Sequence, residues 1–181
     1  MLAAEKVLGF WYSELTPKDW FTKSDDLDAA IRSRFADVHR AATLGETWSW
    51  RETARGRLAE IIVLDQFSRN MFRDQPQAFA SDPMSLVLAQ EAVAGGHDQV
   101  LEDPMERCFL YMPYMHSESP VIHEQAMQLF DQPGLEDNLE FERRHKAIID
   151  RFGRYPHRNA ILGRTSTPEE AAFLQQPGSS F

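Results

Sequence analysis

Apolar residues recur every three or four positions along most of the chain, and nowhere do apolar and polar residues alternate long enough to predict a strand. The pattern predicts an all-α fold. Ala3 to Tyr12 reads as a short apolar-rich helix, closed by the turn at Pro17. Ser24 is placed to cap a long helix in which Leu27, Ile31, Phe35, Val38 and Ala42 repeat until Gly45 stops them. A helix from Arg51 to Phe67 follows, with Leu58, Ile61 and Ile62 inward. Asp82, as N-cap before Pro83, opens a helix that ends at Gly95-Gly96, and Asp103 with Pro104 opens the next in the same way. Pro113 and Pro120 are expected to interrupt the chain, making Tyr114 to Ser119 a bend between helices. Ser119-Pro120 restarts a helix to Phe130, and Leu139 to Phe152 forms another with Gly153 as its C′ residue. Thr167-Pro168-Glu169-Glu170 reads as a capping box for a last short helix through Leu174, and Gln175 to Phe181 is expected to fray. No internal repeat of fixed period stands out.

Length and composition narrow the class. With 181 residues, 43% hydrophobic and 26% charged, the chain predicts a single packed domain over residues 1–181. No apolar run approaches the roughly 18 residues of a membrane span. Glu5 and Glu14 stand where a signal peptide would be basic and then apolar, so a cytoplasmic protein with no membrane partner is expected. Nineteen basic against 28 acidic residues leave a net charge of −9, which speaks against nucleic acid as a partner. The early aromatics, Phe10-Trp11-Tyr12, Trp20-Phe21 and Trp48-Ser49-Trp50, suit core or pocket wall and form no spaced stacking platform. Cys108, the single cysteine, lies in the apolar stretch MERCFLYM and reads as a buried thiol. Leu139 to Arg164 runs against the overall charge, with seven basic residues to three acidic, an excess suited to a small anionic ligand.

Candidate chemistry gathers in three segments. In Ile61 to Asn70, Asp65 falls on the inward face with Ile61 and Ile62 and needs a cationic partner, which Arg69, one turn on, can supply. A buried structural pair explains this spacing as well as a binding site does. In Pro113 to Glu118, followed by His123-Glu124, imidazole and carboxylate groups meet at a helix break and can relay a proton, though His116 and Glu118 can equally cap helix ends. The spacing matches no metal signature, so a metal is not favoured and no cofactor is assigned. The third segment joins His145, on an apolar helix face, to Arg154, His157, Arg158 and Asn159 in the following loop. These donors suit carboxylate or phosphate recognition and exceed what capping a helix C-terminus requires.

Taken together, Val7-Leu8-Gly9-Phe10-Trp11, Leu64-Asp65-Gln66-Phe67-Ser68-Arg69-Asn70, Ala78-Phe79-Ala80-Ser81-Asp82, Pro113-Tyr114-Met115-His116-Ser117-Glu118 and Phe152-Gly153-Arg154-Tyr155-Pro156-His157-Arg158-Asn159, continuing through Leu162-Gly163-Arg164 and Ser166-Thr167, resemble a bacterial family catalogued as domain of unknown function nine-twenty-four. The resemblance covers nearly the whole chain. It implies an all-helical, tetratricopeptide-like fold and supplies no activity; Ser68 departs from the family pattern, where proline is expected, which touches only the local turn.

The resemblance marks Asp65, Arg69, Asn70, His116, Glu118, Arg154, His157 and Asn159 as recurring family positions. The expectation is a pocket between helices for an anionic small molecule. His116, Glu118 and His157 are the candidates for acid–base or hydrolytic chemistry, and Asp65, Arg69, Asn70, His145, Arg154, Arg158 and Asn159 the candidates for substrate binding. A helical scaffold binding a peptide without catalysis is the alternative, and a polar core network with no site is the third reading.

Overall fold

Side chains at the helix ends set most of the boundaries. The computed structural model describes residues 2–181 and resolves into α1 (Leu2–Gly9), α2 (Pro17–Phe21), α3 (Asp25–Thr43), α4 (Ala54–Ile62), α5 (Ser68–Met71), α6 (Asp82–Ala94), α7 (Pro104–Met115), α8 (Pro120–Phe130), α9 (Glu136–Phe152) and α10 (Pro168–Phe173). The fold is all-α, with no strand among the described residues. Among them, too, no helix is long and apolar enough to cross a membrane. Ser24 Oγ accepts the Leu27 N–H, Asp103 accepts the Met105 N–H, and Thr167 and Glu170 exchange both bonds of a capping box. Gly153 closes α9 at φ 67°, the left-handed position expected of it.

α4 is the central element, packed against α1, α6 and α7, while α3 lies over residues 63–71 and α8 bridges α7 to α9. Phe10, Trp11, Phe35, Phe67 and Phe109 fill the main core, with Trp11 edge-on to Phe109 at 5.2 Å and Phe35 4.9 Å from Phe67. A smaller cluster of Ile148, Ile149 and Tyr155, flanked by Phe152 and Phe173, fastens the last segments to α9.

Several boundaries differ from the sequence expectation, each for a physical reason. The single helix expected from Arg51 to Phe67 gives way to a 3-10 turn (Trp48–Glu52), α4 and a wider π-helical turn (Val63–Phe67), which runs on into α5. Thr53 starts α4 by accepting the Gly56 N–H at 3.0 Å. Gly56 packs so closely that a Cβ there would stand 2.0 Å from the Trp50 carbonyl oxygen. Gly56→Ala should therefore force a backbone shift and cost about 3 kcal/mol, read as a lowered Tm in thermal denaturation; an unchanged Tm would mean that the 3-10 turn moves freely.

Pro113 does not break α7, which runs two residues further. Phe109 to Met115 are all buried, and their packing outweighs the one hydrogen bond that a proline near the helix end removes. The bend is shortened to His116–Ser119. Asp82 is not the cap of α6 either: Ser81 holds that position, and the Asp82 carboxylate is drawn away to two arginines. The tail folds back, with the Ser179 hydroxyl donating to the Leu174 carbonyl and the Phe181 ring seated 3.7 Å from that of His145.

Candidate functional site

Asp65 lies in the π-helical turn, fully buried, on the wall facing the end of α7. A π turn shifts backbone bonds out of register. Here the Leu64 carbonyl takes the Ser68 hydroxyl at 2.6 Å and the Asp65 carbonyl takes Arg69 Nη1 at 3.0 Å. Ser68 thus supplies a donor to the turn, and its hydroxyl also meets His39 Nε2 at 2.8 Å.

The Asp65 carboxylate is shared. Oδ1 receives Arg69 Nη1 at 3.1 Å and lies 2.7 Å from His116 Nδ1, while Oδ2 receives the Gln66 amide at 2.7 Å. Burial opposes its ionisation, but His116, Arg69 and Gln66 together outweigh burial and hold it at about 2. Burial and the neighbouring Arg69 charge push His116 below the usual histidine range, only partly offset by Asp65. With Asp65 ionised and the imidazole neutral, the proton sits on Nδ1 and Nε2 keeps its lone pair. Nε2 makes no hydrogen bond with the protein, and 16% of the side chain reaches solvent.

Asp82 completes the cluster from the start of α6. It takes Arg69 through two bonds at 2.8 and 3.0 Å and Arg158 at 3.4 Å. Arg158 also donates to the His116 carbonyl at 2.9 Å, and its guanidinium is held between the rings of Phe79 and Tyr155, 4.5 and 4.7 Å from their centroids. Only 5% of Arg158 is exposed, yet its Nε–H has no acceptor.

Other expected site residues fall into separate groups. Glu118 accepts the Tyr155 N–H at 2.7 Å and pairs with Arg164 through both oxygens; despite burial, these donors keep it below the usual carboxylate range. Arg164 in turn reaches Asn159, which meets Ser166 and Glu170, and Glu170 takes Arg154 through two bonds. This is a C-terminal knot in which every charge has a partner from the chain itself. Arg154 is therefore spent on Glu170, and Asn70 is turned to Asp28 beside Arg73, joined to none of the others. His145 and His157 form a third group around Tyr155.

Asp82, Phe79 and Tyr155 belong to the cluster around Arg69 and Arg158 and are not among the candidates that the sequence singled out. The signal for Asp82 was present in the Ala78-to-Asp82 segment, but Asp followed by proline is also a common helix start. A buried pair behind the site, His123 Nδ1 on Glu142 at 2.6 Å, holds the bend through the Ser117 carbonyl and the Tyr155 hydroxyl. Burial raises Glu142 against the pull of His123. Among the described residues, no group of three His, Cys, Asp or Glu side chains stands ready to share a metal ion. Burial pushes the Cys108 thiol well up, out of reach of thiolate chemistry. A cleft of about 500 Å³ between Trp50, Gly56 and Leu101 lies elsewhere, and its Arg55 is neutralised by Glu5 and Glu106.

Fold and cluster define an all-helical protein with a buried Asp–His–Arg constellation at the meeting of three segments. The chain belongs to the DUF924 family, described as bacterial protein of unknown function, whose model matches residues 7–178. It is similar to the solved structure of a protein of unknown function, ATU0120, from Agrobacterium tumefaciens. The two are 37% identical with a TM-score of 0.91, over 96% of this chain and 97% of that one. Comparison with curated proteins returns no match.

Proposed function

We propose that this protein is an enzyme acting on an anionic small molecule by acid–base or hydrolytic chemistry, with His116 as general base. The observation that carries this reading is the Asp65–His116 pair: Nδ1 is tied to a buried, ionised carboxylate, while Nε2 makes no hydrogen bond and belongs to a side chain that is 16% exposed. In that arrangement the carboxylate fixes the tautomer and stabilises the imidazolium that forms when Nε2 takes a proton from substrate or from water. Neutral His116 is the competent form, and burial with Arg69 favours it. Asp65 is then a positioning residue, and Arg158, whose Nε–H has no acceptor, is the group to meet the negative charge of the substrate.

The test is untargeted. Purified protein is incubated with a bacterial small-molecule extract and the mixture followed by mass spectrometry. An anionic metabolite should be consumed, with consumption abolished in His116→Gln and slowed about 10²- to 10⁴-fold in Asp65→Asn. If wild type consumes nothing, or both variants keep pace with it, the assignment is wrong.

A further inference from the structure

His145, Tyr155 and His157 surround a seat for a flat ring, and in this structure the chain's own Phe181 fills it. The Phe181 ring lies 3.7 Å from His145, 4.8 Å from His157 and 5.3 Å from Tyr155, the last nearly perpendicular at 85°. Three walls meeting one ring in tilted and edge-on geometry are the contacts by which aromatic groups are recognised. Both imidazoles are neutral walls. His145 Nδ1 is engaged by the Phe141 carbonyl at 2.7 Å, and neither histidine has a carboxylate partner. His157 Nδ1 is buried with nothing to bond.

The filling is partial. Phe181 remains 56% exposed and makes no hydrogen bond that would hold it, so it covers the seat as a displaceable plug. The seat shares a wall with Arg158, whose Nε–H alone lacks an acceptor: its guanidinium carbon lies 4.7 Å from the centroid of the Tyr155 ring. Leaving an arginine N–H buried without an acceptor is costly, and a carboxylate oxygen removes that cost. Tyr155 thus joins the two, touching the ring in the seat and the arginine whose buried N–H has no acceptor.

We propose that this site binds a small aromatic carboxylate, its ring in the His145–Tyr155–His157 seat and its carboxylate on Arg158 Nε, and that Phe181 competes with it. This rests on the reading of the cluster as a ligand site and names the substrate class. Ring and charge recognise different halves of the ligand, so probes that carry only one half separate them.

Titrations followed by NMR of the histidine ring protons would use benzoate, cyclohexanecarboxylate and benzamide as probes, on the wild type and on Phe181→Ala, a change at an exposed side chain. Benzoate should bind Phe181→Ala about tenfold more tightly than wild type, roughly the worth of one aromatic contact set. Cyclohexanecarboxylate and benzamide should each bind the variant at least several-fold more weakly than benzoate. Phe181→Trp, which keeps the plug, should stay near wild type. Equal benzoate affinity in wild type and Phe181→Ala overturns the proposal, as does the absence of saturable binding to either. If benzoate moves the His116 signal but leaves His145 and His157 untouched, the ring seat falls while the His116 site stands.

Discussion

Replacing Asp65 by alanine is expected to lower the melting temperature by about 10 °C. The carboxylate is the acceptor common to Arg69 and His116 and is itself wholly buried, so its removal takes one of two carboxylates from a half-buried guanidinium and leaves the His116 Nδ1 without its acceptor. Breaking a buried ion pair from one side typically costs about 3–5 kcal/mol. For a chain of this size each kcal/mol moves Tm by roughly 2–4 °C. Asp82 remains to hold Arg69, which keeps the loss from being larger. Asp65→Asn preserves the shape and one acceptor oxygen, and should fall between wild type and alanine. Thermal unfolding followed by circular dichroism at neutral pH reads all three; a shift in Asp65→Ala of no more than a degree or two would mean that the cluster contributes nothing as a unit.

The second large effect is a loss of stability on mild acidification. Burial holds His157 at about 4, with the Arg158 charge helping, and His145 at about 3 against the bond to Phe141. Both lie below the usual histidine value of 6.5. When the folded value is depressed, the unfolded chain takes up the proton first, so stability is full above 6.5 and declines as pH falls toward the folded values. The loss is on the order of 4 kcal/mol for His145 and smaller for His157, which keeps some contact with water. Asp65 acts in a lower window, because its contribution begins to fade only as pH drops below the ordinary aspartate value of 3.8 toward about 2. Urea denaturation at successive pH values between 7 and 4 should show the decline in wild type and a flatter profile in the His145→Gln, His157→Gln double variant. A wild-type profile that is level across this interval, or one that the double variant leaves unchanged, contradicts the account.

Local signals carried the fold well wherever a boundary depends on a few adjacent residues. Ser24, Asp103, Thr167 and Gly153 act as their types and positions imply, because a cap is a contact between near neighbours. Pro113 misled because its local cost is overruled by burial from Phe109 to Met115, a property of the packed molecule. Asp82 misled in the opposite sense: its local use as a cap was plausible, and two arginines 13 residues before it and 76 after it claimed the carboxylate.

The site divides along the same line. The Asp65–Arg69 pair was readable as one helical turn, and the π turn between them did not separate it. That His116 meets Asp65 is a contact across 51 residues, which spacing alone does not encode. A type-based reading also groups all the arginines as anion binders, whereas the folded chain gives Arg154 to Glu170 and Arg164 to Glu118 and leaves an unsatisfied N–H on Arg158. Tyr155 escaped notice because its weight lies in the number of groups it touches, which only the tertiary structure reveals.

The bridge from Asp82 to Arg158 also sets an order in time. The 76 positions that separate them take roughly 4–15 s to synthesise at ribosomal rates. Throughout that interval Asp82 has Arg69 available, and the second arginine does not yet exist. Arg69 can thus neutralise Asp82 first, while Arg158, which leaves a donor unsatisfied, is added only later in synthesis. A chain that stops short of Arg158 would keep the carboxylate for the Arg69–Asp82 pair and lack the buried N–H that has no acceptor.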